Sequence, residues 1–278
     1  MTSRRTEVQA PPAAVSAPVA TEPTATQSSA SRFVHEIDDL DLTAFTAIAA
    51  GFGAARYGYV VTPNADHLIR YHESEAFRRY YESASYVLMD SRFVARLIRL
   101  TKGVRLPICT GSDLTSELFA NVIRPDDRIV VIGGTRGQIE RLGRRYGLTN
   151  VRHLNPPHGF IRNKAAVEEC LKFIESASPF RFCFLAVGSP QQEAVAHALY
   201  SRGQTRGLAL CVGASLDFLT DVQKRAPRWM QYLTLEWLYR LLHDPRRLAS
   251  RYLVRGSRIF ACVRRARVVL RYARPAAS

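Results

Sequence analysis

Beyond residue 32 the chain alternates between short, almost continuous apolar runs and longer stretches whose apolar positions recur at helical spacing. The runs are 57–62 (YGYVVT), 86–89 (YVLM), 128–132 (RIVVI), 180–187 (FRFCFLAV) and 208–212 (LALCV). A strand with one face in water alternates apolar and polar side chains, whereas a strand buried on both faces does not. The five runs therefore predict a parallel sheet. Residues 91–100, 164–177 and 191–202 carry helical spacing, and regular strand–helix alternation places such helices on both faces of the sheet.

Residues 1–31 break this pattern, being rich in Ala, Pro, Thr and Ser and poor in large apolar side chains. Burial of so little surface cannot offset the entropy lost on ordering, which predicts a disordered segment. The reading by domains is 1–31 disordered, 32–223 an α/β body, and 224–278 a basic helical appendage.

Charge sharpens that last division. The 278 residues carry a formal charge of +15. Residues 221–278 hold 14 Lys and Arg against three Asp and Glu, whereas the first 220 hold 25 against 21. A nearly neutral body with a strongly basic tail points to nucleic acid, an anionic membrane or a phosphorylated substrate. In the tail, Arg225, Arg228, Arg240, Arg246, Arg247 and Arg251 interleave with Trp229, Tyr232, Trp237, Tyr239 and Tyr252. Guanidinium forks match two phosphate oxygens at once. On a helix drawn over 258–274, Ile259, Cys262, Val263, Ala266, Val269, Leu270 and Ala273 share one arc. Arg258, Arg264, Arg265, Arg267, Arg271 and Arg274 fall outside it. Such a helix either lies in a membrane interface or packs its stripe on the body; the single sign of charge and the lack of a spanning segment favour the membrane.

The five cysteines form no CxxC pair, and Cys183 and Cys211 sit in apolar runs. Buried free thiols in a reducing, cytosolic compartment are expected, with no disulfide framework and no zinc site. No apolar run reaches the ~20 residues needed to span a bilayer, and the N-terminus lacks a signal-peptide core, so membrane contact is expected to be peripheral.

Several runs end in small or polar residues, where parallel strands bind ligands at their carboxyl ends. Pro63 and Asn64 suit a turn, with Asn64 capping the following helix. Asp90 follows YVLM and precedes the 91–100 helix, so it is either a general base or that helix's N-cap. Gly133, Gly134 and Thr135 join a strand to a helix, as a phosphate-binding N-terminus or as a plain tight turn. In GSPQQE (188–193), Ser189 suits a cap and Pro190 a first turn, but neither role explains two adjacent glutamines. Asp39 and Asp41 resemble the paired aspartates of metal-dependent sugar-nucleotide enzymes, yet their place before a helix fits capping. The seven histidines show no metal-ligand spacing, so no metal is expected.

In order, TPNADHL (62–68), Asp90 after YVLM, TGSDL (110–114), VIGGT (131–135), HGF (158–160), GSPQQE (188–193), VGASLDFL (212–219), KRAPRWM (224–230) and LEWLYRLLHDPRRLASRYL (235–253) resemble the WecG/TagA/CpsF glycosyltransferase family, glycosyltransferase family 26. The resemblance covers roughly 33–253. It implies a Rossmann-like catalytic body and inverting transfer from a UDP-sugar to a polyprenyl-diphosphate-linked saccharide, without a metal or other cofactor. It implies a peripheral enzyme at the cytoplasmic face of the membrane, acting in surface or extracellular polysaccharide assembly. Asp90 matches the family's proposed base, Thr62 and Asn64 its TxN motif, and Gln192 the glutamine of GSPxQE. Arg240, Arg247 and Arg251 match arginines thought to reach a diphosphate. Gly111, Asp113, Gly133, Gly134, Gly213 and Asp217 are further donor- or acceptor-binding candidates by the same matches. The chain departs from the family at Ser91, where Gly is usual, at Leu216, where Phe is usual, and at Asp221, where Gly is frequent.

Two other readings stand beside this one. A Rossmann enzyme with a nucleotide cofactor would lack its GxGxxG fingerprint here. A nucleic-acid binder would use the basic, aromatic tail but leave Asp90 and GSPQQE unexplained, so no nucleic-acid partner is expected.

Overall fold

A computed structural model describes residues 33–53, 56–223, 226–227, 230, 236–243 and 256–272. The five apolar runs form β2 (Tyr57–Val61), β3 (Tyr86–Val87), β4 (Ile129–Ile132), β6 (Phe182–Leu185) and β7 (Gly207–Cys211). With β5 (Val151–Leu154) they make a sheet of order β3-β2-β7-β6-β4-β5, every neighbouring pair parallel. β5 escapes an apolar-run criterion because its sequence, VRHL, is half polar; at the sheet edge it is only partly buried.

The helices are α1 (Leu42–Gly51), α2 (Ala65–Glu73), α3 (Glu75–Glu82), α4 (Arg92–Lys102), α5 (Gly111–Glu117), α6 (Arg136–Tyr146), α7 (Lys164–Ser176), α8 (Gln191–Arg202) and α9 (Ser215–Leu219). Strand side chains alternate between faces. Tyr59, Val61, Val130, Ile132, Cys183 and Leu185 enter a layer built by α2, α3, α4, α7 and α8. Val60, Ile129, Val131, Phe182 and Phe184 enter the opposite layer, with α1, α5, α6 and α9. This is the Rossmann-like sheet with two helical layers that the apolar pattern predicts.

The connections diverge at one place. β4 leads outward to β5 through α6, while β6 leads the other way to β7 through α8, on the other face. Divergence between neighbouring parallel strands opens a crevice at their carboxyl ends.

The tail differs from the single amphipathic helix expected over 258–274. Within the appendage the described helices are α10 (Glu236–His243) and α11 (Arg258–Arg265), and α11 runs into a strand, β8 (Ala266–Arg271). β8 pairs in parallel with β1 (Phe33–Asp38), from Phe33 opposite Ala266 to Asp38 opposite Arg271. Val268, Val269 and Leu270 favour a strand, and β1 offers them an open edge. Ile259 and Val263 on α11 are buried in the same layer as α2 and α4. The apolar stripe therefore packs on the body. Ala273 and Arg274 lie outside the described residues.

Asp38 locks this clasp. Its carboxylate accepts bonds from Arg271 Nε (3.1 Å), Arg271 Nη2 (2.9 Å) and the Val87 backbone N–H (2.6 Å), joining β1, β8 and β3. Its side chain is only 7% exposed, against 27% for Arg271. Breaking a buried pair from one side leaves the other charge uncompensated, at about 3–5 kcal/mol. Asp38→Ala is expected to lower the unfolding free energy in urea by about 3 kcal/mol. A loss below about 1 kcal/mol would reduce the clasp to an ordinary surface ion pair.

Candidate functional site

Six parallel strands bring their carboxyl ends to one rim, and most of the candidate groups lie along it. At β3, the Asp90 backbone N–H donates to Pro63 O (3.1 Å), while Asp90 Oδ1 accepts the Gly111 N–H (2.8 Å). Capping of α4 belongs to Ser91, whose Oγ accepts the Val94 N–H at 3.2 Å. The cap of α4 is therefore Ser91 and not Asp90, whose carboxylate instead accepts the first amide of α5.

Gly111 is hemmed in by two hydroxyls: a Cβ there would lie 3.3 Å from Thr62 Oγ1 and 3.5 Å from Ser215 Oγ. Thr62 Oγ1 donates to Cys211 O (3.1 Å), tying the ends of β2 and β7. Ser215 Oγ donates to Val212 O (2.6 Å). Asn64 caps α2, its Oδ1 accepting from the N–H groups of Asp66 (3.1 Å) and His67 (3.4 Å), as the turn reading expects. Asp113 accepts Arg92 Nη2 at 3.4 Å, across from the first turn of α4. Burial, followed by the negative charges of Asp90 and Asp113, pushes the Cys109 thiol up to about 12. The buried Tyr81 phenol is raised well above its usual value, first by burial and then by Glu193, Cys211 and Asp90.

Gln192 has the structural role that capping rules do not supply. It is buried, its Oε1 accepts the Gly213 N–H (2.9 Å), and its Nε2 donates to Glu193 Oε1 (2.9 Å). It thus holds the start of α8 against the β7–α9 turn. Ser189 does not cap α8: Pro190 stands at the N-cap position without a side-chain bond. Among the described residues, the buried Ser189 Oγ and Glu193 Oε2 have no hydrogen-bond partner.

Gly133 and Gly134 turn between β4 and α6 at positive φ, +99° and +75°. His153 Nε2 supports the turn from β5, donating to the carbonyls of Gly133 (3.1 Å) and Gly134 (3.2 Å). Thr135 and Gln138 form a reciprocal capping box, and Gln138 Nε2 donates to Asp217 Oδ1 at 2.7 Å. Asp217 therefore fastens α9 to α6. The Thr135…Gln138 spacing is a readable capping signature. His153, on a half-polar edge strand, carries no such signal, nor do the orphan oxygens of Ser189 and Glu193.

Thr62, Asp90 and Gly111 are thus brought together with Ser215, and Gln192 meets Gly213. Gly133 and Gly134 sit at the end of β4, joined to Asp217 through the capping box. Arg240 lies on α10, but its side chain, and all of Arg247 and Arg251, fall outside the described residues. Asp41 caps α1 by accepting the Ala44 N–H at 2.8 Å. Among the described residues no group of three or more His, Cys, Asp or Glu is placed to hold a metal ion. No described helix is long and apolar enough to cross a membrane. All five thiols are free, and Cys183 and Cys211 are buried as their apolar runs predict.

Residues 32–273 match the family model described as Glycosyl transferase WecG/TagA/CpsF family. The chain is also 29% identical over 167 residues to the N-acetylglucosaminyldiphosphoundecaprenol N-acetyl-beta-D-mannosaminyltransferase of Bacillus subtilis (strain 168). That match covers 59% of this chain and 62% of the relative, so it spans less than two thirds of the relative's length.

The β4 turn sets a steric test. A Cβ on Gly133 would lie 2.7 Å from Ala186 O, at a φ that L side chains rarely adopt, whereas one on Gly134 meets nothing nearer than 3.5 Å. Strain of this kind costs about 1–3 kcal/mol. Gly133→Ala is expected to lower the melting temperature clearly more than Gly134→Ala. Equal effects would mean that β4 and β6 can part at their carboxyl ends.

Proposed function

The chain belongs to the WecG/TagA/CpsF glycosyltransferase family, and on that premise we propose that it moves a sugar from a UDP-sugar onto a polyprenyl-diphosphate-linked saccharide, with inversion, in bacterial cell-surface or extracellular polysaccharide synthesis. The Bacillus relative, whose name specifies an N-acetylmannosaminyl group moved to an N-acetylglucosaminyl-diphospho-undecaprenol, supports sugar transfer to a lipid-diphosphate-linked acceptor. The observation that carries the reading is the Asp90 carboxylate. It stands at the sheet rim beside Thr62, with Oδ1 held by the Gly111 amide at the start of α5, while the cap of α4 belongs to Ser91.

The chemistry is a single displacement. An acceptor hydroxyl gives its proton to Asp90 as its oxygen forms a bond to the anomeric carbon. The bond from that carbon to UDP breaks on the opposite side, and its electron pair leaves with the diphosphate. Attack opposite the leaving group inverts the centre. The leaving charge needs oriented donors. The Gly133–Gly134 turn at the N-terminus of α6 suits one phosphate, since glycines permit close approach. Gln192, Gly213 and Asp217 line the adjoining strand ends and suit the nucleotide or its sugar, with Asn64 and Asp113 nearer the acceptor. Arg240, Arg247 and Arg251 are assigned to the leaving UDP or to the acceptor's diphosphate. From β3 to β4 is four strand steps, about 19 Å at ~4.8 Å each, a rim able to seat an extended sugar nucleotide with an acceptor sugar beside Asp90. A lipid-linked acceptor requires the enzyme to work peripherally at the membrane's inner face.

Asp90→Asn tests the base. Asparagine keeps an oxygen for the Gly111 amide but cannot take a proton at neutral pH. Turnover is expected to fall ~10²–10⁴-fold with UDP-sugar affinity retained, and wild-type turnover is expected to persist in EDTA. Turnover within threefold of wild type would remove Asp90 from the mechanism. Loss of activity in EDTA, restored by Mn²⁺, would show that a metal carries the leaving charge.

A further inference from the structure

We infer that the exposed ridge formed by α4 and α11 is the surface with which this protein lies on an anionic lipid leaflet; the consequence for catalysis rests on the function proposed above, the binding itself does not. The two helices run side by side. Near their starts Phe93 meets Phe260 edge-on, ring centroids 6.3 Å apart, and near their ends Lys102 Nζ donates to Arg264 O at 2.8 Å. Phe93, Leu97 and Leu100 recur at i, i+4 and i+7 along one side of α4; Phe93 and Leu97 are half-buried against the core, and Leu100 projects from it. Leu100 is 76% exposed and Phe260 56%, unusual values for side chains of this size. Buried Ile259 and Val263 hold α11 on the body, so the ridge is presented by packed elements.

Charge selects the partner. Residues 92–105 and 258–271 contain ten Lys and Arg and no Asp or Glu. Arg258 and Arg271 are engaged by Glu73 and Asp38. Arg96, Arg99, Lys102 and Arg264 are exposed on the same two helices. Exposed large apolar side chains on helices whose exposed charges are all cationic suit an interface where rings and methyls enter the acyl boundary and guanidinium groups meet lipid phosphates. Nucleic acid would match the charge but not an exposed leucine. The geometry also has a use. α4 begins next to Asp90, so a leaflet lying along the ridge brings the candidate base to within one short helix of the place where a lipid-linked diphosphate resides.

Deleting the tail would remove core residues Ile259 and Val263, so point variants make the test. The full chain is floated with phosphatidylcholine vesicles, with and without phosphatidylglycerol, at low and high salt. Wild type is expected to bind the phosphatidylglycerol vesicles, and salt is expected to weaken that binding. Leu100→Ser with Phe260→Ser, and separately Arg96→Glu with Arg99→Glu, are each expected to lower partitioning at least about tenfold. Thermal melting and turnover on a short-chain, water-soluble acceptor should stay unchanged. Absence of wild-type binding, or equal binding by the variants, would overturn the proposal. So would single-stranded RNA binding that the variants abolish while vesicles are ignored. If vesicle binding behaves as expected but no acceptor is glycosylated, the docking surface stands and the proposed function falls.

Discussion

All six strands of the main sheet point the same way, and the candidate site depends on that constraint. Parallel neighbours must be joined by crossovers, and every crossover leaves through a turn at the carboxyl rim. Turns need small residues and caps, so Thr62, Asn64, Ser91, Gly111, Gly133 and Gly213 collect there for backbone reasons. Function then depends on which polar groups the turns leave over. Ser91 takes the cap of α4 and thereby leaves Asp90 for Gly111. Gln192 meets the Gly213 amide, while Ser189 and Glu193 each keep a buried oxygen without a partner among the described residues.

The basic tail shows why net charge is a poor measure of binding surface. Arg271 is held by Asp38 in the clasp between β1 and β8, and Arg258 by Glu73. In the body, Arg181 pairs with Asp127 at 2.8 Å, and Arg202 pairs with both Glu168 and Glu175. These cations hold the fold. The arginines that remain exposed on α4 and α11 come from distant segments, one of them in the nearly neutral body, that meet where Lys102 reaches Arg264 across 162 positions of sequence. Only the tertiary contact of the two helices makes them a single surface.

The architecture was readable wherever burial was extreme. β2, β4, β6 and β7 are buried along almost their whole length, so their apolar runs carry the sheet. Elements at edges were harder to read: β5 is half polar, and β1 and β8 each depend on the other. A helical arc drawn over 258–274 included Ala266–Arg271, which is strand, because a run of arginines and valines satisfies both periods and only the open edge of β1 decides between them. At the site, family motifs pointed to Asp90, Thr62 and Gln192, which do lie on the rim. The sequence could not separate capping from chemistry at Asp90, since both put an aspartate before a helix. Ser189 misled for the same reason, a serine before a helix that leaves its hydroxyl without a partner. His153 reaches the Gly133 and Gly134 carbonyls only through the pairing of β5 with β4.

The central claim is a one-step displacement with a carboxylate as base, and stereochemistry tests it most directly. The product formed from a UDP-α-sugar and a diphosphate-linked acceptor can be examined by NMR for the configuration at the new anomeric centre. A single displacement predicts a β-linked product. An α-linked product would require retention, and with it a different role for Asp90.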